Sequence, residues 1–272
     1  MSLRAILSIA ALLTLLVAAV DSLPKKYRKP KLPAGADATI VDTDFDYYVL
    51  AQVVPQVQCY KVNNLWKAEN SSCSPCASSW ARNDLDWTVH GLWPSNLYSD
   101  RFLGNCNRTA RFDAEQLDAG LRAQLEYHWT DLKRAAYKDD FWRHEWEKHG
   151  TCAMRVDELS GMRNYFQRTI ELLKRFNVGH RLEKQGVVPG NHYDFDEFND
   201  AIVKAYGAQA KIKCAKSPTT GKQYVNEVHL CLDKSFKMIN CTGVLAGSCS
   251  KKKKLTYAKN ANQCTKNTVI NE

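Results

Sequence analysis

Ten cysteines in a chain of 272 residues constrain the fold of this protein more than any other feature of its sequence. What they imply depends on the compartment, because thiols stay reduced in the cytosol and form disulfides on the export route. The N-terminus indicates export: Arg4 precedes an apolar run over residues 5–20, and small residues precede Asp21. This run is shorter than the roughly 20 residues of a membrane-spanning helix, so we predict a signal peptide over residues 1–20 rather than an anchor.

The cysteines are therefore predicted to form structural disulfides in a secreted protein. Cys73 and Cys76 have the CxxC spacing of a redox pair or of half a zinc site, but no second CxxC and no matching pair of histidines follows them. We favour a structural role for both. Three N-glycosylation sequons fit the same compartment and predict surface positions at Asn70, Asn107 and Asn240.

The composition excludes disordered, fibrous and repeat proteins. Hydrophobic residues make up 44% of the chain, aromatic residues 10% and charged residues 25%, which suffices for a buried core. The formal charge is +9, from 38 basic and 29 acidic residues, and it falls to +8 when Arg4 leaves with the signal peptide. A basic chain suits a polyanionic partner. We predict a basic arm over residues 21–40 and one domain over residues 41–272.

Hydrophobic periodicity predicts strands near both ends of the domain and helices between them, which is the pattern of an α+β fold. The predicted strands are residues 45–54, 87–93 and 223–232. The predicted helices are residues 112–129 with Asp113 as the cap, 141–149, 160–176 and 196–206. A cysteine-bearing loop is predicted after Val54, and the second strand is predicted to end at Pro94. The lysine run of residues 251–254 is predicted to be a solvated loop held by Cys249 and Cys264, in preference to a nucleic-acid patch.

Three of the seven histidines lie in two short aromatic-rich segments. WTVHGLWPS contains His90, and FWRHEWEKHGTC contains His144 and His149. On a helix at about 100° per residue, the second segment places Trp142 and Trp146 on one side, where they anchor the helix to the core. The other face gathers the candidate functional residues Phe141, His144, Glu145, Lys148 and His149.

Three interpretations of this face compete. The metalloprotease zinc pattern needs histidines at i and i+4 with a glutamate between them, but His144 and His149 lie five residues and about 140° apart around the helix, so no metal or other cofactor is predicted. A surface helix with balanced charges would leave Glu145 and His149 as a weakly stabilising pair. The third interpretation is cleavage of single-stranded RNA: one imidazole takes the 2′-hydroxyl proton, a second protonates the departing 5′-oxygen, and a lysine stabilises phosphoryl charge. Exposed aromatic rings beside the site would stack the bases.

Both segments closely resemble the two signature motifs of the T2 ribonuclease family. The similarity continues through KIKC at residues 211–214, HLCL at residues 229–232 and NCT at residues 240–242, so it spans roughly residues 45–245. It implies a single α+β domain with a central, mainly antiparallel sheet flanked by helices and stapled by disulfides. It also implies a secreted or lysosomal endoribonuclease of low base specificity, which cleaves RNA without a metal through a 2′,3′-cyclic phosphate to a 3′-phosphate.

The resemblance implies a role for each motif residue, which spacing alone does not assign. The implied proton-transfer pair is His149 as general base and His90 as general acid. The other implied roles are phosphate binding by His144, transition-state stabilisation by Glu145 and Lys148, and base binding by Trp93 and Phe141. Ser95 departs from the family pattern, because many members carry Asp at this position beside the first base pocket.

The resemblance also implies the disulfide pairings. The implied pairs are Cys106 with Cys152, Cys231 with Cys241, Cys59 with Cys73 or Cys76, and Cys214 with Cys249 or Cys264. Two cysteines exceed the family pattern, and for them we predict an additional bridge from the CxxC region to the C-terminal tail.

A secreted binding or signalling protein on the same fold is the alternative to an enzyme. Such a protein would not need intact motif residues. The motif residues His90, Glu145, Lys148 and His149 are all present, so we predict an enzyme.

Overall fold

The computed structural model describes residues 44–68, 73–74, 83–97, 103–132, 139–241, 247–259 and 262–263. Two compact units divide the chain, Met1–Ala38 and Thr39–Glu272, and all described residues belong to the second. The predicted signal peptide, the basic arm and the sequon at Asn70 lie outside the described residues. Among the residues described, no helix combines the length and the apolarity needed to cross a bilayer.

A mainly antiparallel sheet forms the centre of the second unit. The strands are β1 (Tyr47–Val53), β2 (Cys73–Ser74), β3 (Thr88–Ser95), β4 (His192–Tyr193), β5 (Lys211–Lys216), β6 (Gln223–Leu232), β7 (Met238–Ile239), β8 (Leu255–Thr256) and β9 (Asn262–Gln263). Seven of them form one sheet in the order β3-β1-β6-β8-β4, with β5 and β7 also paired to β6. Only the pairing of β6 with β8 is parallel in this sheet, and β2 and β9 form a separate parallel pair.

Helices occupy the middle of the chain. They are α1 (Pro55–Val62), α2 (Ala119–His128), α3 (Asp140–Lys148), α4 (Met162–Arg175), α5 (Val178–Glu183) and α6 (Phe195–Tyr206). Short 3-10 turns lie at Trp66–Ala68, Ala114–Gln116, Gly150–Ala153 and Asp157–Leu159. Helices between strands of a mainly antiparallel sheet confirm the predicted α+β class.

Most predicted elements are confirmed, and the exceptions have local causes. Pro55 takes the first position of α1, where its missing N–H costs nothing, so the predicted loop begins with a helix. The predicted helix over residues 112–129 is divided, because Asp113 caps a 3-10 turn and Asp118 caps α2. β3 continues through Pro94, which an edge strand tolerates because the missing N–H faces away from the sheet.

Strand β1 is buried on both faces, and its two faces pack into different clusters. Leu50 belongs to the main core, which also contains the apolar face of α4. Val49 and Ala51 pack on the opposite face with Trp93. The sheet is therefore covered on both sides, and the second side carries the histidine motif of β3.

A β-bulge at His90 sets the direction of the side chains on β3. In the pairing with β1, Val89 and Gly91 lie opposite consecutive residues, so His90 is one extra residue. A regular strand alternates its faces at every residue, whereas here Val89 and Leu92, three positions apart, both lie in the main core. The bulge therefore re-aims His90, as bulges beside active sites commonly do.

The lysine run of residues 251–254 is anchored to the start of α6. Lys251 Nζ lies 3.3 Å from Asp196 Oδ1, and Lys254 Nζ lies 3.2 Å from Asp194 Oδ2. All four lysines are exposed, so these ion pairs contribute little to stability. The run is therefore an exposed loop that two ion pairs connect to the start of α6.

Three disulfides have both partners among the described residues: Cys106–Cys152, Cys214–Cys249 and Cys231–Cys241. The first and third confirm the implied pairings, and the second selects Cys249 over Cys264. Cys59 is also disulfide-bonded, with a partner outside the described side chains. The pairing of β2 with β9 brings the CxxC region beside the C-terminal segment. A bridge between these two segments, and the choice of Cys73 or Cys76 for Cys59, remain predictions.

Removing the Cys106–Cys152 bridge is expected to destabilise the domain more than removing Cys231–Cys241. The first bridge spans 46 residues and the second spans 10. Closing these loops corresponds to about 4 and about 3 kcal/mol of unfolded-state entropy, respectively. Paired Cys→Ser variants compared by urea unfolding measure the difference. Equal losses, or a larger loss for the short loop, would show that loop closure is not what the longer bridge contributes.

Candidate active site

His90 lines a cavity of about 450 Å³. Its backbone carbonyl accepts a 3.0 Å hydrogen bond from the indole N–H of Trp129, which fixes the bulge. Its ring lies between two buried carboxyl groups, with Nδ1 3.3 Å from Oε2 of Glu227 and Nε2 4.0 Å from Oε1 of Glu145. The imidazole itself is 29% exposed. A substrate can therefore reach His90 and Glu145 from the cavity, while Glu227 does not line it.

Helix α3 presents the polar face that the sequence predicts. Trp142 and Trp146 are buried, and their indole N–H groups donate to the backbone carbonyls of Trp129 and Ala110, respectively. These hydrogen bonds fix the rotation of the helix about its axis. As a result His144 is exposed on the cavity wall, whereas Glu145 is buried.

Helix α3 ends at Lys148, and His149 begins the turn that follows. The turn packs tightly, because a Cβ on Gly150 would overlap the ring of Trp146. It brings the imidazole of His149 beside that of His144, with ring centroids 6.2 Å apart. The two side chains are therefore neighbours even though five residues separate them in the sequence.

The separation of about 140° predicted for His144 and His149 on a continuous helix therefore does not keep them from sharing a ligand. His149 lies beyond the last helical residue. Ligand atoms of His144, Glu145 and His149 all lie within 4.8 Å of one another. Two imidazoles and a carboxylate are a donor set that zinc accepts. These residues are able to hold a divalent metal, and chelation tests whether the reaction needs one.

Glu145 is a buried carboxyl group with an altered acidity. Burial raises its pKa to about 7, against the opposing charges of His90 and Lys148 and the hydrogen bond from Trp93. That hydrogen bond runs from Trp93 Nε1 to Glu145 Oε2 over 2.9 Å. The protonated form of Glu145, which can donate a hydrogen bond, is therefore well populated at neutral and acid pH.

His90 and His149 have pKa shifts in opposite directions. Burial, together with the charge of Lys148, lowers the pKa of His149 to about 3. Burial also disfavours the charged form of His90, but the nearby carboxylate charges of Glu227 and Glu145 outweigh it and raise the pKa of His90 above its ordinary value. Between these two pKa values, His149 is neutral and His90 is charged.

The cavity beside His90 combines apolar walls with a few polar groups. Phe141 is half-buried at its edge, with its ring centroid 5.9 Å from that of His90. Other lining residues are Val53, Gln58, Val62, Val89, Thr130, Asp131, Leu132, Asp140, His144 and Glu145. A concave site of this size with mixed walls suits a small organic ring.

Trp93 does not have the exposed ring that the predicted base-binding role requires. Its side chain is 6% exposed. The ring centroid lies 5.0 Å from that of His90, 5.4 Å from that of His149 and 5.3 Å from that of His229. The stacking role therefore does not fit this arrangement, in which Trp93 instead holds Glu145 by its indole N–H.

Glu227, the acidic partner of His90, is not among the residues predicted from the sequence. Residues 223–232 are predicted and found as strand β6, but Glu227 and His229 on this strand join the site. Two ionisable residues two positions apart in a buried strand share one face, which was the available signal. Their contact with His90 across β1 depends on a strand order that the sequence did not reveal.

Two of the three sequons lie among the described residues. Asn240 is exposed, as a glycosylation site requires. Asn107 is half-buried, and its Oδ1 accepts a 3.0 Å hydrogen bond from the backbone N–H of Thr109. Glycan occupancy at both positions stays a prediction.

The fold and the site together define a class of protein. A disulfide-stapled α+β domain gathers imidazoles, a perturbed carboxyl group and a lysine in one site, part of which lines a cavity. These are the components of acid–base cleavage of a phosphodiester. The described residues bring together every predicted catalytic residue: His90, His144, Glu145, Lys148 and His149.

Known proteins of this class match the chain over most of its length. Residues 45–241 match the Ribonuclease T2 family. Ribonuclease T2 of Homo sapiens is 34% identical over 76% of this chain and 75% of its own length, and Ribonuclease Oy of Magallana gigas is 31% identical over 79% and 96%, respectively. The chain belongs to the ribonuclease T2 family, and it is an RNA-cleaving endoribonuclease.

Solved structures agree with this assignment. The crystal structure of human RNase T2 has a TM-score of 0.61 and 30% identity, covering 79% of this chain and 99% of that one. The crystal structure of RNase NT in complex with 5′-AMP has a TM-score of 0.63 and 27% identity, with the same coverage of both chains.

Proposed function

We propose that this enzyme cleaves single-stranded RNA without a metal, by transferring the phosphoryl group from the 5′-oxygen to the neighbouring 2′-oxygen. The observation that carries the proposal is the opposite pKa shift of two imidazoles in one site. The reaction needs a neutral base and a charged acid at the same pH, and His149 and His90 have these forms over a wide range. This supports His149 as the base and His90 as the acid.

The proposed first step is balanced by these two residues. His149 removes the proton of the 2′-hydroxyl, and the 2′-oxygen attacks phosphorus. The bond from phosphorus to the 5′-oxygen breaks, and His90 gives its proton to that oxygen. The products are a 2′,3′-cyclic phosphate and a free 5′-hydroxyl. In the slower second step, His90 takes a proton from water, water opens the ring, and His149 protonates the 2′-oxygen, which leaves a 3′-phosphate.

The other polar residues are proposed to stabilise phosphoryl charge. His144 is exposed on the cavity wall and can donate to a phosphate oxygen. Glu145, with a pKa of about 7, can donate a hydrogen bond to a phosphoryl oxygen when it is protonated. Lys148 is close enough for its charge to lower the pKa of both Glu145 and His149, so it also acts on a phosphate bound there.

The cavity is proposed to hold a base beside the scissile bond. The Phe141 ring offers a stacking surface that any base can use, which supports low base specificity. RNase NT, which this chain resembles, is solved with 5′-AMP, and we propose that nucleotides bind here as well. Trp93 is not assigned a stacking role in this proposal.

The enzyme is proposed to work outside the cytosol, either secreted or in lysosomes. Its bridged cysteines suit an oxidising compartment. The domain organisation that accompanies this proposal is a signal peptide over residues 1–20, a basic arm over residues 21–40 and the catalytic domain over residues 41–272.

Chelation tests the metal-free mechanism. In excess EDTA, we expect unchanged cleavage of ribonucleotide dimers, with a 2′,3′-cyclic phosphate as the first product. Deoxyribonucleotide dimers are the control and should stay intact, because they lack the 2′-hydroxyl. Product identification by mass spectrometry checks both points. Loss of cleavage in EDTA that added zinc restores would overturn the proposal and make His144, Glu145 and His149 a metal site.

A further inference from the structure

A buried carboxylate joins two imidazoles behind the site. Oε2 of Glu227 lies 3.3 Å from Nδ1 of His90 and 2.9 Å from Nε2 of His229, and Oε1 accepts a 3.1 Å hydrogen bond from Asn226 Nδ2. Glu227 is 7% exposed and His229 is 3% exposed. Neither step of the proposed reaction uses Asn226, Glu227 or His229, the three residues of this cluster on β6.

The sheet positions this carboxylate against His90. β6 and β3 both pair with β1, so about 10 Å separates the two strands. Gly91 and His229 lie opposite the same residue, Ala51. Because Ala51 has a small side chain and Gly91 has none, longer side chains from β3 and β6 have room to meet above β1. Each of the two strands that provide the contact between Glu227 and His90 has a β-bulge there. His90 is the extra residue in β3 against β1, and Asn226 is the extra residue in β6 against β5.

Glu227, His229 and His90 favour different protonation states in this cluster. Burial disfavours the carboxylate form of Glu227, but the hydrogen bond from His229 and the charge of nearby His90 outweigh it and hold its pKa below the ordinary value. Burial lowers the pKa of His229 despite the charge of Glu227, so His229 is neutral and donates from Nε2. Glu227 therefore carries the negative charge of the cluster, and the more exposed His90 carries the proton that it can transfer.

We propose that Glu227 is a positioning residue for His90, held in turn by His229 and Asn226. With Oε2 3.3 Å from Nδ1 of His90, its negative charge favours the protonated imidazole, which leaves the proton on Nε2 for the leaving oxygen. It acts on the acid without touching the substrate. This inference rests on the proposed function of His90 as the general acid.

Other charged groups also face His90 and must be kept constant in a test. Glu145 on α3 supports the charged imidazole, while Lys61 on α1 opposes it. His149 after α3 and His229 on β6 interact with it as well. Glu227→Gln leaves these four groups in place, and it preserves the size and part of the hydrogen bonding of the side chain.

The leaving group of the substrate distinguishes positioning from general damage. A dinucleotide needs its 5′-oxygen protonated, whereas a nucleoside 3′-(p-nitrophenyl phosphate) releases a stable phenolate without an acid. For Glu227→Gln we expect kcat on the dinucleotide to fall by about 10–100-fold, with KM nearly unchanged. On the aryl substrate we expect kcat close to that of the unchanged enzyme. The alkaline limb of the pH profile on the dinucleotide should also move to lower pH, because His90 loses a supporting charge.

Three variants make the result interpretable. Glu171→Gln removes an exposed carboxylate on α4 and should leave both rates unchanged. Glu227→Asp keeps the charge, so its kcat on the dinucleotide should fall less than that of Glu227→Gln, and its kcat on the aryl substrate should stay unchanged. It tests the same role if Glu227→Gln does not fold. His90→Ala should show the same dependence on the leaving group as Glu227→Gln.

Each outcome separates this inference from the proposed function. Equal losses on both substrates in Glu227→Gln, or an unchanged alkaline limb, would overturn the positioning role. Equal losses on both substrates in His90→Ala would instead overturn the assignment of His90 as the acid. A loss confined to the dinucleotide in both variants supports the two assignments together.

Discussion

Replacement of His149 by alanine is expected to lower kcat on a dinucleotide by about 10²–10⁴-fold, while the protein stays folded. The imidazole is 4% exposed and has a pKa of about 3, so at any pH above this value it is a neutral group ready to accept a proton. Neither of the other two imidazoles of the site is proposed to replace it, because His144 is assigned to phosphate and His90 carries the acid proton. Single-turnover cleavage measures the loss directly.

We expect the pH dependence of kcat to have two limbs, one for each histidine of the proton-transfer pair. Activity should rise with pH as His149 loses its proton, near pH 3, and fall as His90 loses its proton, above the ordinary pKa of an imidazole. Ionisation of Glu145, with a pKa of about 7, also contributes to the fall. The optimum should therefore lie on the acid side of neutrality, between the two limbs. In His149→Ala the limb near pH 3 should disappear while the alkaline limb remains.

His192→Ala is the matched control for this variant. His192 is exposed on β4, where Nδ1 contacts Oγ1 of Thr256 at 3.0 Å, and it takes no part in the site. Its replacement should leave both limbs of the profile in place. Nearly unchanged turnover in His149→Ala would mean that another group is the base, and the assignment of both histidines would have to be revised.

The sequence predicts the parts of this site that depend on local periodicity. The rotation of α3 follows from the spacing of Trp142 and Trp146, so the catalytic face of the helix is right. β1 and β6 are predicted because a buried strand needs only a short run of apolar and β-branched residues. These signals are local, and no tertiary contact overrides them here.

The parts that the sequence does not predict depend on contacts between distant segments. The bulge at His90 exists only relative to β1, and the contact of Glu227 with His90 exists only because both strands flank β1. The closeness of His144 and His149 depends on where α3 ends, which a uniform helix cannot describe. The burial of Trp93 likewise depends on three histidines from three different segments.

Gly91→Ala is expected to lower kcat by about 100-fold, because misplacing a catalytic group by about 1 Å has an effect of this size. A Cβ at this position would overlap both ends of one hydrogen bond, Trp93 Nε1 and Glu145 Oε2. The Trp93 ring cannot move away easily, because the rings of His90 and His149 pack against it. The hydrogen bond must therefore break, and Glu145 must leave its position beside His90.

The backbone does not contribute to this expected loss. Gly91 is not among the residues with positive φ, so alanine fits its conformation. Gly120→Ala on α2 is the control: a Cβ there lies 3.3 Å from Asp118 Oδ1, the N-cap acceptor of this helix, so it adds a tight contact outside the site and activity should be unchanged. Unfolding midpoints for both variants separate a loss of activity from a loss of folded protein.

A double variant identifies the overlap as the cause. Trp93→Phe removes Nε1, the indole atom that the new Cβ would meet, and retains an aromatic ring. By itself it should lower kcat, because Glu145 loses its donor. Combined with Gly91→Ala, it should cost less than the product of the two single effects, since the hydrogen bond can be lost only once and the overlap is partly relieved. Strictly multiplicative losses would show that Gly91 acts on the site by some route other than the contact between Trp93 and Glu145.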